Sequence, residues 1–72
     1  MSKLEKIKSK IDNLHKKQKR LKVQIKELEE KFKKRELDED KYRKKMMKVD
    51  QTLESTLSKL KELNREKKEL LD

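Results

Sequence analysis

The sequence predicts an all-α protein in which two long helices form an antiparallel coiled-coil hairpin. Charged residues make up 54% of the 72 residues and apolar residues 29%, with no Trp, so the chain cannot build a large core. Glycine and proline are absent, which is typical of long helices. Apolar residues recur every three or four positions in both halves, the heptad spacing of coiled coils. We therefore expect residues 1–72 to form a single helical hairpin.

Helix 1 is predicted over about residues 2–35. Its start is marked by the capping-box sequence Ser2-Lys3-Leu4-Glu5, in which the Ser2 hydroxyl can accept a hydrogen bond from the Glu5 N–H. No glycine is available to cap its C-terminus. One polar residue interrupts its apolar seam, which consists of Leu4, Ile7, Ile11, Leu14, Gln18, Leu21, Ile25, Leu28 and Phe32.

A turn is predicted at about residues 36–38 and helix 2 over about 39–71. Asp38 is a favourable N-cap residue, and Glu39 and Asp40 follow it in the first turn, where acidic side chains suit the positive end of the helix dipole. Leu37, which precedes the cap, can pack on Tyr42 as a hydrophobic staple. The seam of helix 2 consists of Tyr42, Met46, Val49, Leu53, Thr56, Leu60, Leu63, Lys67 and Leu70.

The two seams share one heptad register, which leaves an alternative fold. If the turn were helical, the chain would form one continuous helix of about 105 Å in a parallel coiled-coil dimer. In that rod Arg35, Glu39 and Lys67 would each face the same residue of the other copy, placing like charges in the seam. A hairpin instead brings Arg35 opposite Glu39. The sequence therefore favours the hairpin over the rod.

The hairpin that pairs Phe32 with Tyr42 also pairs the other seam positions well. Apolar residues meet apolar residues along almost the whole length, and the polar residues Gln18 and Thr56 share one layer. The flanking positions are less favourable, but exposed charge pairs contribute only a few tenths of a kcal/mol each. Three flanking pairs bring opposite charges together, namely Lys22 with Asp50, Glu29 with Arg43 and Lys10 with Glu66. Two bring like charges together: Lys17 with Lys59 and Lys31 with Lys45.

Residues that could carry catalysis, metal binding or cofactor binding are largely missing. Without Cys the chain has no disulfide, thiol nucleophile or Cys-ligated zinc, and without Gly it has no phosphate-binding loop. The single histidine, His15, has no second ligand at helical spacing. We expect no catalytic residue, no metal and no cofactor, and hence no enzyme. No apolar leader or run of 18 apolar residues is present, so the expected location is intracellular and soluble.

Positive charge is concentrated in the first half of the chain and suggests a polyanionic partner. The net charge is +9, and residues 1–35 hold 14 basic against five acidic residues, whereas residues 36–72 hold ten of each. Nucleic acid, bound without sequence specificity, is the polyanion we expect, because phosphates form regular anionic arrays. We call the candidate residues of helix 1 the basic band: Lys8, Lys10, Lys16, Lys17, Lys19, Arg20 and Lys22.

Apolar residues of helix 2 predict a second contact, with a protein. Several leucines widen the apolar stripe beyond what one partner helix can cover, so helix 2 is expected to self-associate or to dock on another protein. These leucines are Leu53, Leu57, Leu60 and Leu71. Two alternative functions remain open: a purely structural or adaptor coiled coil whose lysines serve solubility, and a peripheral binder of anionic membranes.

Overall fold

The computed structural model describes residues 2–71, which form an all-helical hairpin. Helix α1 spans Lys3–Lys33 and helix α2 spans Glu39–Leu71, and the two pack against each other along their length. The hairpin measures 51 × 15 × 15 Å, so its long dimension is the length of one helix. The predicted hairpin is therefore confirmed, and the described residues do not form the continuous rod. Met1 and Asp72 lie outside the described part of the chain.

The first helix begins as its capping sequence predicts. Ser2 has extended backbone angles, with φ −71° and ψ 160°, and its Oγ accepts a hydrogen bond of 3.2 Å from the Glu5 N–H. The Ser2 carbonyl accepts the first helical bond from the Lys6 N–H, at 3.1 Å. The side chain and the carbonyl of one residue thus satisfy two donors of the first turn.

The first helix ends at Lys33, two residues before the position that the sequence predicts. Arg35 adopts the left-handed conformation, with φ 61°, which residues other than glycine occupy at a cost. The Arg35 N–H donates to the Phe32 carbonyl at 3.1 Å, and the Glu36 N–H donates to the Lys31 carbonyl at 2.8 Å. These two bonds form a Schellman motif, in which an arginine takes the position that usually holds glycine.

The second helix is capped by Asp38, as predicted. Asp38 Oδ1 accepts a hydrogen bond of 2.8 Å from the Lys41 N–H, and its carbonyl accepts one of 2.9 Å from the Tyr42 N–H. The sequence predicts that Arg35 lies opposite Glu39 at the turn, but the two side chains do not form an ion pair. The Glu39 carboxylate instead binds Arg43, one turn further along α2, with Oε1 to Nη2 at 2.6 Å.

A stacked aromatic pair establishes the register of the two helices. The rings of Phe32 and Tyr42 lie parallel within 16°, with centroids 4.3 Å apart, directly beside the turn. This is the pairing that the sequence predicts, and it places Gln18 and Thr56 in the same layer. Thr56 is the most buried residue of the described chain, at 2% exposure, and its hydroxyl donates to the Thr52 carbonyl at 2.8 Å. The buried hydroxyl therefore has a partner.

The apolar core is thin. Ile7, Leu21 and Leu60 are its buried apolar members, with exposures between 4% and 7%. Most other seam residues are half-buried, including the polar Gln18 and Lys67, because a pair of helices can cover only one side of each. The stability of the hairpin therefore depends on a few apolar side chains.

Replacing Arg35 by glycine is expected to stabilise the hairpin by about 1 kcal/mol, because glycine adopts the left-handed conformation without steric cost. For a domain of this size the melting temperature, followed by circular dichroism, should rise by about 4–8 °C. The matched control is Lys34→Gly, at φ −80°, where glycine should destabilise. A lower melting temperature for Arg35→Gly would contradict the turn geometry.

Two leucines of the same helix test the position of the core. Leu60 is 5% exposed and Leu57 is 44% exposed. Leu60→Ala should lower the free energy of unfolding by about 2–3 kcal/mol, whereas Leu57→Ala should lower it by about 1 kcal/mol or less. Urea unfolding at low protein concentration measures both values. Equal losses would show that the described packing is incorrect.

Candidate polyanion-binding surface

All seven residues of the basic band lie exposed on α1. Lys16 is the member that forms an ion pair, with its Nζ 3.3 Å from Asp12 Oδ2, and both side chains remain largely exposed. Such an exposed pair within one helix is weak. The structure therefore leaves the positive charge of this band available for a partner.

The two helices do not neutralise each other by ion pairs. Among residues 2–71 the ion pairs are Lys16 with Asp12 and Arg43 with Glu39, and each joins residues one turn apart within one helix. Among the described residues, the charges that flank the seam thus form no ion pair with the opposite helix. Solvent ions or a partner molecule must balance them.

The hairpin brings lysines of both helices to the same side of the seam. In the heptad abcdefg, whose a and d positions form the seam, g is the position before each a and e is the position after each d. In an antiparallel pair the g positions of one helix run beside the g positions of the other, and the e positions beside the e positions. Two grooves on this side have walls formed by both helices. One lies over Leu28 and Val49 with Lys31 and Lys45 at its edges, and Lys48 and Glu27 also line it.

The second groove lies nearer the open end of the hairpin. It runs over Leu14 and Leu63, and Lys10 of α1 and Lys59 of α2 both line it, together with Glu62. The two grooves thus confirm that lysines from both helices share one side. We call this surface the lysine face and define it by the exposed residues Lys10, Lys17, Lys31, Lys45 and Lys59.

The opposite side of the seam carries little net charge. Its helical e positions hold three cations, Lys8, Lys22 and Arg43, against two acids, Glu29 and Asp50, a balance of +1. The g positions of the two helices hold six lysines, which are Lys3 and the five of the lysine face, against Glu66, a balance of +5. The field of the hairpin is therefore strongest on the lysine face.

The leucines predicted to bind a protein fall into two groups. Leu60 is buried and Leu53 half-buried in the seam, so both pack within the hairpin itself. Leu57 and Leu71 are 44% and 61% exposed and remain free for a partner. Met47, at 62% exposure, is also on the surface of α2.

Other kinds of site find little support in the described residues. Within residues 2–71 no group of three or more His, Asp or Glu side chains lies close enough to hold a metal ion. Phe32 and Tyr42 stack on each other, which covers one face of each ring, while Phe32 remains 38% exposed. Neither described helix contains a stretch long and apolar enough to cross a membrane.

Comparison with protein-family models, curated proteins and solved structures finds no significant match to this chain.

Sequence reasoning located the basic band but missed the lysine face. The band follows from one helix alone, whereas the lysine face combines positions that lie far apart in the chain. The available signal was the alignment of Lys17 with Lys59 and of Lys31 with Lys45 in the predicted register. In the sequence alone each pair indicates only an unfavourable flanking contact, and the shared surface follows once both helices are in place.

Proposed function

We propose that this chain is a non-enzymatic coiled-coil module whose basic α1 binds a polyanion, nucleic acid in particular, without sequence specificity, while α2 contacts a protein or a second copy. The observation that carries the proposal is the basic band: seven exposed cations on one rigid helix, with Asp12 as their ion-pairing acid. Lysines on a rigid scaffold favour electrostatic binding, because each contact releases counterions from the phosphate backbone.

Several features support binding that does not depend on sequence. Base-edge recognition usually combines several Arg, Asn and Gln side chains in a groove, whereas the band contains a single Arg, with Gln24 one turn away. Its cations are mostly lysines, which act as mobile point charges rather than planar forks. A band of this composition suits phosphates of any sequence.

Neutralising the band should weaken nucleic-acid binding strongly. The test variant changes Lys16, Lys17, Lys19 and Arg20 to Gln, which keeps helix propensity nearly constant. Fluorescence anisotropy of labelled duplex and single-stranded oligonucleotides should show a log affinity that falls with log salt concentration, by about 0.9 per duplex phosphate contact. The variant should reduce that slope and lose most binding at low salt.

A matched control removes the same charge from the outside of α2. Lys41, Lys44, Lys61 and Lys68 are all exposed, and changing them to Gln leaves the same net charge as the test variant. Affinity should then remain near that of the wild type. Absence of wild-type binding at low salt, or equal weakening by both variants, would contradict the proposal.

A second candidate function is structural assembly, favoured by the exposed leucines. The accessible surface is 6211 Å2, against about 4800 Å2 for a compact monomer of 8.9 kDa. A stable interface buries roughly 600–1000 Å2 per partner, so a second copy could cover a large part of this excess. The lysine faces of two copies would repel each other, which leaves the side of Leu57 and Leu71 for the contact.

Self-association is tested by sedimentation equilibrium across a range of protein concentrations. Wild-type protein should form dimers, and Leu57→Glu should shift the equilibrium to monomer, because a carboxylate would have to be buried. Ser58→Glu, one residue away and exposed, should leave dimerisation unchanged. A wild type that stays monomeric at all concentrations rules out this candidate.

A further inference from the structure

We infer that the lysine face is a phosphate-binding surface built by both helices, on which Lys45 and Lys59 of α2 act together with Lys10, Lys17 and Lys31 of α1 to bind the backbone of a nucleic-acid duplex. This inference rests on the proposed function and deepens it. The basic band lies wholly on α1, so binding through the basic band alone would involve no residue of α2.

The first argument is the juxtaposition of lysines across the seam. Lys31 and Lys45 line one groove, and Lys10 and Lys59 line another, so each groove has a lysine from either helix. The Phe32–Tyr42 register also places Lys17 across from Lys59. An anion seated over the seam would therefore meet cations from both sides.

The second argument is that the five lysines outnumber the acids beside them, which are Glu27 and Glu62 in the grooves and Glu66 at a g position. None of the five lysines takes part in an ion pair among residues 2–71. Like charges held side by side oppose folding slightly, and that repulsion disappears when phosphates lie between them. The free hairpin thus keeps a net positive charge on this face, which an anionic partner can neutralise.

The third argument concerns the kind of partner. Successive g positions are about 10.5 Å apart along a helix, so Lys10 to Lys31 span about 31 Å of a straight surface. A duplex carries a negative charge about every 1.7 Å of its axis and offers phosphates along that whole length. A flexible single strand is usually bound by stacking on a series of exposed aromatic rings, whereas this chain has one Phe, one Tyr and no Trp. The face therefore fits a rigid duplex.

The test compares two double variants of α2 that carry the same net charge. Lys45→Gln/Lys59→Gln removes the α2 half of the lysine face, and Lys41→Gln/Lys61→Gln removes two exposed lysines from outside it. With a labelled 20-base-pair duplex, the first variant should lower the salt slope by about two and weaken binding at 0.1 M salt by roughly tenfold per lysine. The second should bind like the wild type.

Thermal unfolding without duplex provides the structural control. Lys45→Gln/Lys59→Gln should melt at the same temperature as the wild type or higher, because it removes like-charge neighbours. Loss of affinity with unchanged or raised stability therefore supports direct contact. To keep the inference testable if this variant unfolds, Lys31→Gln probes the α1 half of the same face at a residue outside the basic band, and it should weaken duplex binding roughly tenfold.

The outcomes separate the inference from the function on which it rests. If the wild type does not bind duplex at low salt, both are overturned. If the wild type binds and the two α2 variants bind equally well, the inference is wrong and the basic band alone carries the proposed function. If heparin or vesicles of anionic phospholipid bind as tightly as duplex at equal salt, the assignment to a duplex is overturned.

Discussion

The register that stacks Phe32 on Tyr42 is the constraint on which the rest of the structure depends. With this pair beside the turn, every later layer of the hairpin is determined, because both seams follow the same heptad. The register buries Leu21, Leu60 and Thr56 and aligns the lysines of both helices on one side. Slipping one helix by a turn would separate those lysines and disrupt the polar layer of Gln18 and Thr56.

The same arrangement limits the stability of the hairpin. Two helices bury few side chains completely, and the turn places Arg35 in a conformation that glycine would adopt more easily. Flanking lysines add repulsion instead of ion pairs between helices. An acid in place of Lys45 or Lys59 would relieve this repulsion in the free hairpin, whereas the proposed anionic partner would relieve it on binding.

Local sequence signals predicted most of the fold, because they act over a few residues. The Ser2 and Asp38 caps and the heptad seams each depend on neighbours within one or two turns. The end of α1 was less predictable, since Arg35 is placed by the need to reverse the chain and not by its own preference. The division of the leucines, with Leu60 buried and Leu57 exposed, also required both helices in place.

Disulfide trapping would test the register most directly, and the chain has no native Cys to interfere. Oxidation of Gln18→Cys/Thr56→Cys at low concentration should give a cross-linked monomer, because the two positions share a layer. Gln18→Cys/Ser58→Cys, with the second thiol on the outer surface, should react much more slowly. Covalent dimers joined through identical positions would instead indicate a parallel rod and contradict the hairpin, together with the lysine face that depends on it.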